Sequence, residues 1–201
     1  MIPIAPEMPL ANTAISAIYK AQQPLTGKDF DMPDTPAQTL THRTRFFALI
    51  AFMVLCLIIS AAGGAVTATS VGDWYQTLTK PFFSPPDWLF APVWTVIYFM
   101  IALSGWRAWL VGGFRQRTGG RDAFAIYGAQ LFLNLAWSFL FFGAQSPIAG
   151  LVGIVPLFCL IIVNIMLFAR IDRWAAYLLV PYAVWVGFAT ALNGAIWWLN
   201  R

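Results

Sequence analysis

Tryptophan, tyrosine and carboxamide side chains recur at helical steps in three apolar stretches of this 201-residue chain. Trp94 and Tyr98 are four apart. Tyr127, Gln130, Asn134 and Trp137 follow one another by steps of three and four, and Trp185, Ala189 and Asn193 form a third stripe behind Pro181 and Tyr182. Residues at those steps share one helix face, so the stripes can converge inside a bundle. Their rings offer stacking walls, and indole, phenol and carboxamide groups offer directed hydrogen bonds. Two readings stay open from the residues alone. Either the stripes line a binding cavity, or Gln130 and Asn134 merely join neighbouring helices, as polar side chains within membranes do. Trp94, Trp137 and Trp185 sit well inside apolar runs, where an indole needs a hydrogen-bond partner or a polar cavity. Trp88, Trp174 and Trp197 lie near the ends of runs and read as an interfacial belt.

Conventional reaction chemistry has little to work with. No Ser/His/Asp, Cys/His or paired-carboxylate arrangement is evident, so no catalytic residue is assigned. The single histidine, His42, precedes the first apolar run, which excludes an intramembrane His-ligated haem or zinc site. No carboxylate falls inside an apolar run, which argues against a pump built on buried acids. Cys56 and Cys159 lack CxxC spacing and read as packing thiols. No metal and no required cofactor are expected. The net charge of +4 is spread along the loops and does not form a nucleic-acid patch.

The elements that must position the stripes are membrane helices. Hydrophobic residues make up 60% of the chain and charged residues 10%, far below the ~25% charge of a soluble domain. Residues 1–45 are rich in proline without a helical period and read as a flexible polar tail; Met32 is an alternative start. Residues 46–201 form the membrane domain. Apolar runs place spans at about 46–66, 88–109 with Arg107 at its end, 123–143 and 147–169 from one uncharged stretch divided at Gly143-Ala144-Gln145-Ser146-Pro147, and 174–199. The expected fold is all-α, a five-helix integral membrane bundle. With the N-terminus inside, Arg43, Arg45, Arg107, Arg115, Arg117, Arg121, Arg170 and Arg173 are cytoplasmic, against Lys80 and Arg201 outside. That bias puts the loop 67–87 outside. Ala125 and Ala129 form a small-xxx-small pair on a face of the third span away from Asn134 and Trp137, and predict a homodimer there.

Several motifs in order carry a resemblance. Asp73-Trp74-Tyr75, Leu78-x-Lys80-Pro81, Pro85-Pro86-x-Trp88 and Trp94 with Tyr98 stand in the first loop and second span. Gln130-Leu131-x-x-Asn134-x-x-Trp137 with Phe141-Phe142-Gly143, and Pro181-Tyr182-x-x-Trp185 with Thr190-x-Leu192-Asn193, follow in the third and fifth spans. Over residues 46–200 the chain closely resembles the TspO/MBR family, the translocator-protein or peripheral benzodiazepine receptor family. The resemblance implies a five-helix bundle whose first loop lids a pocket for tetrapyrroles such as protoporphyrin IX, sterols and drug-like apolar molecules. It assigns Tyr75, Trp94, Tyr98, Asn134, Trp137, Trp185 and Ala189 to the pocket, with Trp74 and Trp88 holding the lid and its base.

Beside that resemblance, the expected role is transport, sensing or regulation of porphyrin-type ligands within the lipid bilayer. The propionates of a porphyrin would face the aqueous mouth, where Lys80 is the available cation. Tyr75, Phe82 and Phe83 are expected to point down at the ligand from the lid. One alternative is a light-dependent porphyrin-degrading enzyme, with the oxidisable Trp94 and Trp185 as redox partners. Another is a sterol-binding or scaffold protein. Two departures bear on these. Phe82-Phe83 stand where family members often carry indoles. The forward sterol motif after Asn193 is absent, and only a reversed match exists at Arg173, Tyr177 and Leu179, which ranks sterol below tetrapyrrole.

Overall fold

A computed structural model describes residues 41–114 and 119–201. The proposed tail therefore lies, up to residue 40, outside the described residues, as do Met32, Arg115 and Arg117. The described chain is all-α. Helix α1 runs His42–Val71 and the short α2 Trp74–Thr77. A 3-10 turn at Asp87–Leu89 leads into α3, Phe90–Gly112. Helix α4, Gly120–Ser138, continues through a π-helical turn at Phe139–Gly143; α5 is Pro147–Ala169 and α6 is Arg173–Leu199. Among the described residues, five helices are long and apolar enough to cross a membrane. The shortest has 23 residues, about 35 Å at 1.5 Å per residue against a hydrocarbon core of ~30 Å.

Local chemistry sets the helix ends. The Thr41 hydroxyl accepts from the Thr44 N–H at 3.3 Å and starts α1 ahead of its uncharged run. At the other end, the Thr67 and Thr69 hydroxyls donate back to the Gly63 and Val66 carbonyls. Satisfied within the helix, these threonines extend α1 to Val71, so the connecting segment begins at Gly72 and not at Thr67. Ser146 caps α5 by accepting from the Ala149 N–H, with Pro147 in the first turn, where its missing N–H costs nothing. Asp172 caps α6 through the Trp174 N–H and also accepts from Arg107 Nε at 2.8 Å. That ion pair ties α3 to α6 at the basic end of the bundle.

Neighbour relations close the five long helices into a ring in the order α1, α3, α6, α5, α4. Lipid tails are as apolar as the helices, so close packing and hydrogen bonds must hold such a ring together. Ser104 donates to the Ala175 carbonyl, Asn164 to Ala123, and Ser70 to Phe142 at the far end of α4. Gly105 shows how tight the packing is. A Cβ there would stand 2.8 Å from the Tyr127 hydroxyl and 2.9 Å from Phe52, so α1 and α4 approach α3 only because no side chain intervenes.

Candidate functional site

At the centre of the ring, three of the sequence stripes meet. Tyr98 on α3 donates to Asn134 Oδ1 at 2.5 Å, and Asn134 Nδ2 donates to the Tyr182 hydroxyl of α6 at 2.9 Å. All three residues are buried. The half-buried Trp94 lays its ring against Tyr98 and Tyr182, with centroids 5.6 and 6.3 Å away. Asn134 thus spends both ends of its amide on phenols from two other helices, which fixes the facing of α3, α4 and α6. One turn away, Gln130 is fully buried with neither amide atom hydrogen-bonded. Tyr182 belongs to this cluster but was not among the assigned site residues; its place three before Trp185 on one stripe was the signal.

The connecting segment folds over the end of the ring. Helix α2 directs Tyr75 inward until it is 2% exposed, packed on Phe90, Phe141 and Phe142, while Trp74 packs on Phe141. Two backbone bonds latch the segment to the end of α6. The Thr79 N–H donates to Asn200 Oδ1 at 2.9 Å, and Asn200 Nδ2 donates to the Thr79 carbonyl at 3.0 Å.

Lys80 and Phe82 depart from expectation. Lys80 lies over the Tyr75 ring at 4.1 Å, pairs with Asp87 at 3.7 Å and donates to Gln76. Gln76 itself donates to Asp87, so Lys80 is held in a network and is not a free cation at the mouth. Phe82 occupies the tip of a turn closed by the Ser84 N–H and the Pro81 carbonyl, and the tip projects it fully into the surroundings. Phe83 is 38% exposed and rests edge-on against Phe188, so only Tyr75 of the three points inward.

Beneath Tyr75 is a small cavity of about 20 Å³ lined by Tyr75, Phe90, Trp137, Phe141, Phe142, Ala189, Leu192, Asn193 and Ile196. The π-turn builds its wall. Bonds from the Ala144 N–H to Phe139 and from the Ser146 N–H to Phe141 span five residues. The consecutive Phe141 and Phe142 of this turn are both buried. Trp137 stacks on Phe141 at 5.5 Å. Asn193 donates to the Pro147 carbonyl and accepts from the Leu151 N–H. The Tyr75 hydroxyl and Trp137 Nε1 are buried without a hydrogen-bond partner. Burial raises the Tyr75 pKa, partly offset by the Ser84 side chain and reinforced by the Asp87 carboxylate.

A second, larger hollow of about 810 Å³ lies between α3 and α6 and is lined by Trp88, Val93, Val96, Met100, Val184 and Trp185, among others. Its walls include the exposed Val96, Val184 and Trp88, so it faces the bundle exterior. Trp88, 72% exposed, therefore lines this outer groove and not the base of the lid. Trp185 lines it too, whereas Trp94 does not. Phe90 touches residues of both hollows, its ring 5.9 Å from Trp185 and 6.5 Å from Tyr75. The assigned residues thus fall into three adjoining groups: Trp94, Tyr98 and Asn134 at the centre; Trp74, Tyr75, Trp137 and Ala189 under the lid; Trp88 and Trp185 in the groove. Phe90, Phe141, Phe142, Leu192, Asn193 and Ile196 complete the small cavity, and isolated apolar residues of that kind carry no sequence signal for it.

Residues 52–199 match the model of the TspO/MBR family. The chain is 43% identical over 146 residues to the tryptophan-rich protein TspO of Chlorobaculum tepidum, covering 73% of this chain and 91% of that one. It is 44% identical over 152 residues to the protein of the same name from Archaeoglobus fulgidus, covering 76% and 96%. Against the tryptophan-rich sensory protein of Cereibacter sphaeroides, identity is 34% over 143 residues, covering 69% and 87%. With five membrane-length helices and a family match across nearly all of them, the chain belongs to the TspO/MBR family.

Proposed function

We propose that this membrane protein binds flat apolar ligands of the tetrapyrrole type, protoporphyrin IX among them, beneath the lid, and acts in their transport or sensing. The observation that carries the reading is the meeting of a lid tyrosine with aromatic residues of α3 and α4 around one cavity. Names among the relatives, tryptophan-rich sensory protein and translocator protein, point the same way. A small-molecule site holds ~300–1,000 Å³, so the cavity of about 20 Å³ must widen to admit such a ligand. Aromatic walls supply stacking. The Tyr98–Asn134–Tyr182 cluster keeps three helices in register around the ligand.

A second reading, light-dependent porphyrin degradation, draws on the Trp94 ring in contact with Tyr98 and Tyr182, a set of oxidisable groups with Trp185 in the adjoining groove. Titrating the purified protein with protoporphyrin IX, first in the dark and then under light, separates the readings. Saturable quenching without product supports binding and transport; light-dependent loss of the Soret band with a new product supports the enzyme; no binding leaves a scaffold.

We place the N-terminus inside and the lid outside. Labelling of a cysteine at position 77 only from the cytoplasmic side would reverse this. Ala125 and Ala129 are exposed on the outer face of α4 beside Gly128, which suits a homodimer along that helix. Bulky residues at both alanines should give monomers that still bind ligand, and dimers persisting on cross-linking would move the interface elsewhere.

A further inference from the structure

Positive charge is left over at one end of the bundle. The starts of α1, α4 and α6 and the ends of α3 and α5 meet there, tied by the Trp106 indole donating to the Arg45 carbonyl, by Asn164 donating to Ala123, and by the Arg107–Asp172 pair. Among the described residues this end carries Arg43, Arg45, Arg107, Arg121, Arg170 and Arg173 against Asp122 and Asp172. Of those arginines, only Arg107 has a carboxylate at ion-pairing distance among the described residues. At the opposite end, Lys80 pairs with Asp87 and Arg201 lies over the Trp198 ring.

The excess is organised on the seam between α3 and α6. The turn from α5 into α6 is tight, with the Phe168 carbonyl accepting from both the Ile171 and Asp172 N–H groups, so Arg170 and Arg173 flank Asp172 closely. The Asp172 side chain is 9% exposed, and both its oxygens are engaged, Oδ1 by the Trp174 N–H and Oδ2 by Arg107 Nε. The terminal amino groups of Arg107 make no hydrogen bond among the described residues, and that side chain is 40% exposed. Arg170 and Arg173 are exposed as well. A guanidinium fork matches the oxygens of a phosphate. Arg173 also opens α6, the end of a helix at which the macrodipole favours an anion.

The surroundings of these arginines suit a lipid. Trp174 and Tyr177, both exposed, stand edge-on at 5.8 Å on the outside of α6, and amphipathic rings of that kind sit at headgroup level. Met100 on α3 and Val180 on α6 are each seven residues from Arg107 and Arg173, and both line the outer groove. That step is ~10 Å at 1.5 Å per residue, within the reach of an acyl chain that fills half of a ~30 Å hydrocarbon core. A free phosphate would use the arginines and leave this apolar track empty. The reversed sterol pattern does not fit the same surface, because Leu179 is 1% exposed and belongs to the core. We propose that the basic end of the α3–α6 seam is a binding site for an anionic phospholipid. Arg107 and Arg173 receive the headgroup phosphate, Arg170 adds charge beside it, and an acyl chain runs along the seam to the near end of the groove. The site is independent of the cavity beneath the lid, which lies at the opposite end of the bundle.

The test uses the full chain in detergent micelles, titrated with dioleoylphosphatidylglycerol or dioleoylphosphatidylcholine and read by native mass spectrometry, which counts bound lipids. One phosphatidylglycerol per chain should bind at least about tenfold more tightly than phosphatidylcholine. The double variant Arg170→Gln with Arg173→Gln should lose most of that preference. Arg43→Gln with Arg45→Gln removes the same charge from the same end and should keep the preference within about twofold, since it leaves the seam intact. All four side chains are exposed, so unfolding midpoints should match the unaltered protein, and the comparison of the two lipids needs no variant at all. Equal affinity for the two lipids overturns headgroup recognition. Equal losses in the two double variants would mean a diffuse field and no site. Displacement of bound phosphatidylglycerol by equimolar inorganic phosphate would assign the arginines to a free anion and overturn the lipid.

Discussion

Replacing Gly150 by alanine places a methyl group in the seam between α5, α6 and the π-turn. Its Cβ would stand 2.6 Å from Phe141 Cδ2, 2.8 Å from the Asn193 amide and 2.9 Å from Phe141 Cβ. Ordinary contact begins at 3.4 Å, so the closest pair is short by about 0.8 Å. A flexible side-chain tip could swing away from such a clash. Phe141 cannot, because its ring is held among Trp74, Tyr75, Trp137 and Phe142, and its Cβ moves only with the backbone of the π-turn. Asn193 is anchored to the first turn of α5. Two effects oppose each other. Alanine gains up to ~1 kcal/mol over glycine in helix propensity, and overpacking costs about 1–3 kcal/mol. With backbone-linked atoms in the clash, overpacking prevails, and the expected net loss is about 1–2 kcal/mol. Because Phe141 and Asn193 both line the cavity, protoporphyrin affinity should fall as well. Reversible unfolding in mixed micelles measures the first effect and fluorescence quenching the second. Gly64→Ala is the control, since nothing lies within 4 Å of its added carbon. If Gly150→Ala matched Gly64→Ala in stability and kept its ligand affinity, the reasoning would be refuted.

Other expectations follow the same geometry. Asn134→Leu strands the Tyr98 and Tyr182 hydroxyls and should destabilise by about 2–4 kcal/mol; a double-mutant cycle with Tyr98→Phe should show strong coupling, and additive losses would contradict the cluster. Asn200→Ala removes both bonds to Thr79, so hydrogen exchange across residues 74–87 should quicken, and unchanged exchange would mean the latch is idle. Trp94→Leu and Trp185→Leu should each weaken protoporphyrin binding by roughly 1–3 kcal/mol if stacking is lost, and unchanged affinity in both would leave only packing roles. Burial raises the Tyr75 pKa above the tyrosine value of 10.0, so lid closure is fully present below pH 10 and lost as pH rises through the raised value. Ligand release should stay level up to that point and then accelerate, and Tyr75→Phe should abolish the acceleration.

Much of the architecture was written in the chain. A bilayer core leaves no water for the backbone, so the long apolar runs must become helices, with the uncharged 123–169 stretch divided at Pro147 to make five spans. Ser146 with Pro147, and Asp172, start α5 and α6 by capping, which is local chemistry. The 3.6-residue period put Tyr98, Asn134 and Trp137 on inward faces, and all three are buried. What the period cannot supply is the neighbour across the gap. The ring order of the helices, the choice of Tyr182 as second partner for Asn134, and the close approach at Gly105 depend on which side-chain volumes fit together. Local rules also fail where packing overrides them. The π-turn that carries Phe141 and Phe142 has no motif of its own, and the rings packed around it meet only in the folded bundle. Lys80 read as a free cation because its charge is local information, while its capture by Asp87 is not. Phe90 carries no motif at all, yet its ring touches residues of both the lid cavity and the outer groove, because those contacts exist only once Tyr75 and Trp185 arrive beside it.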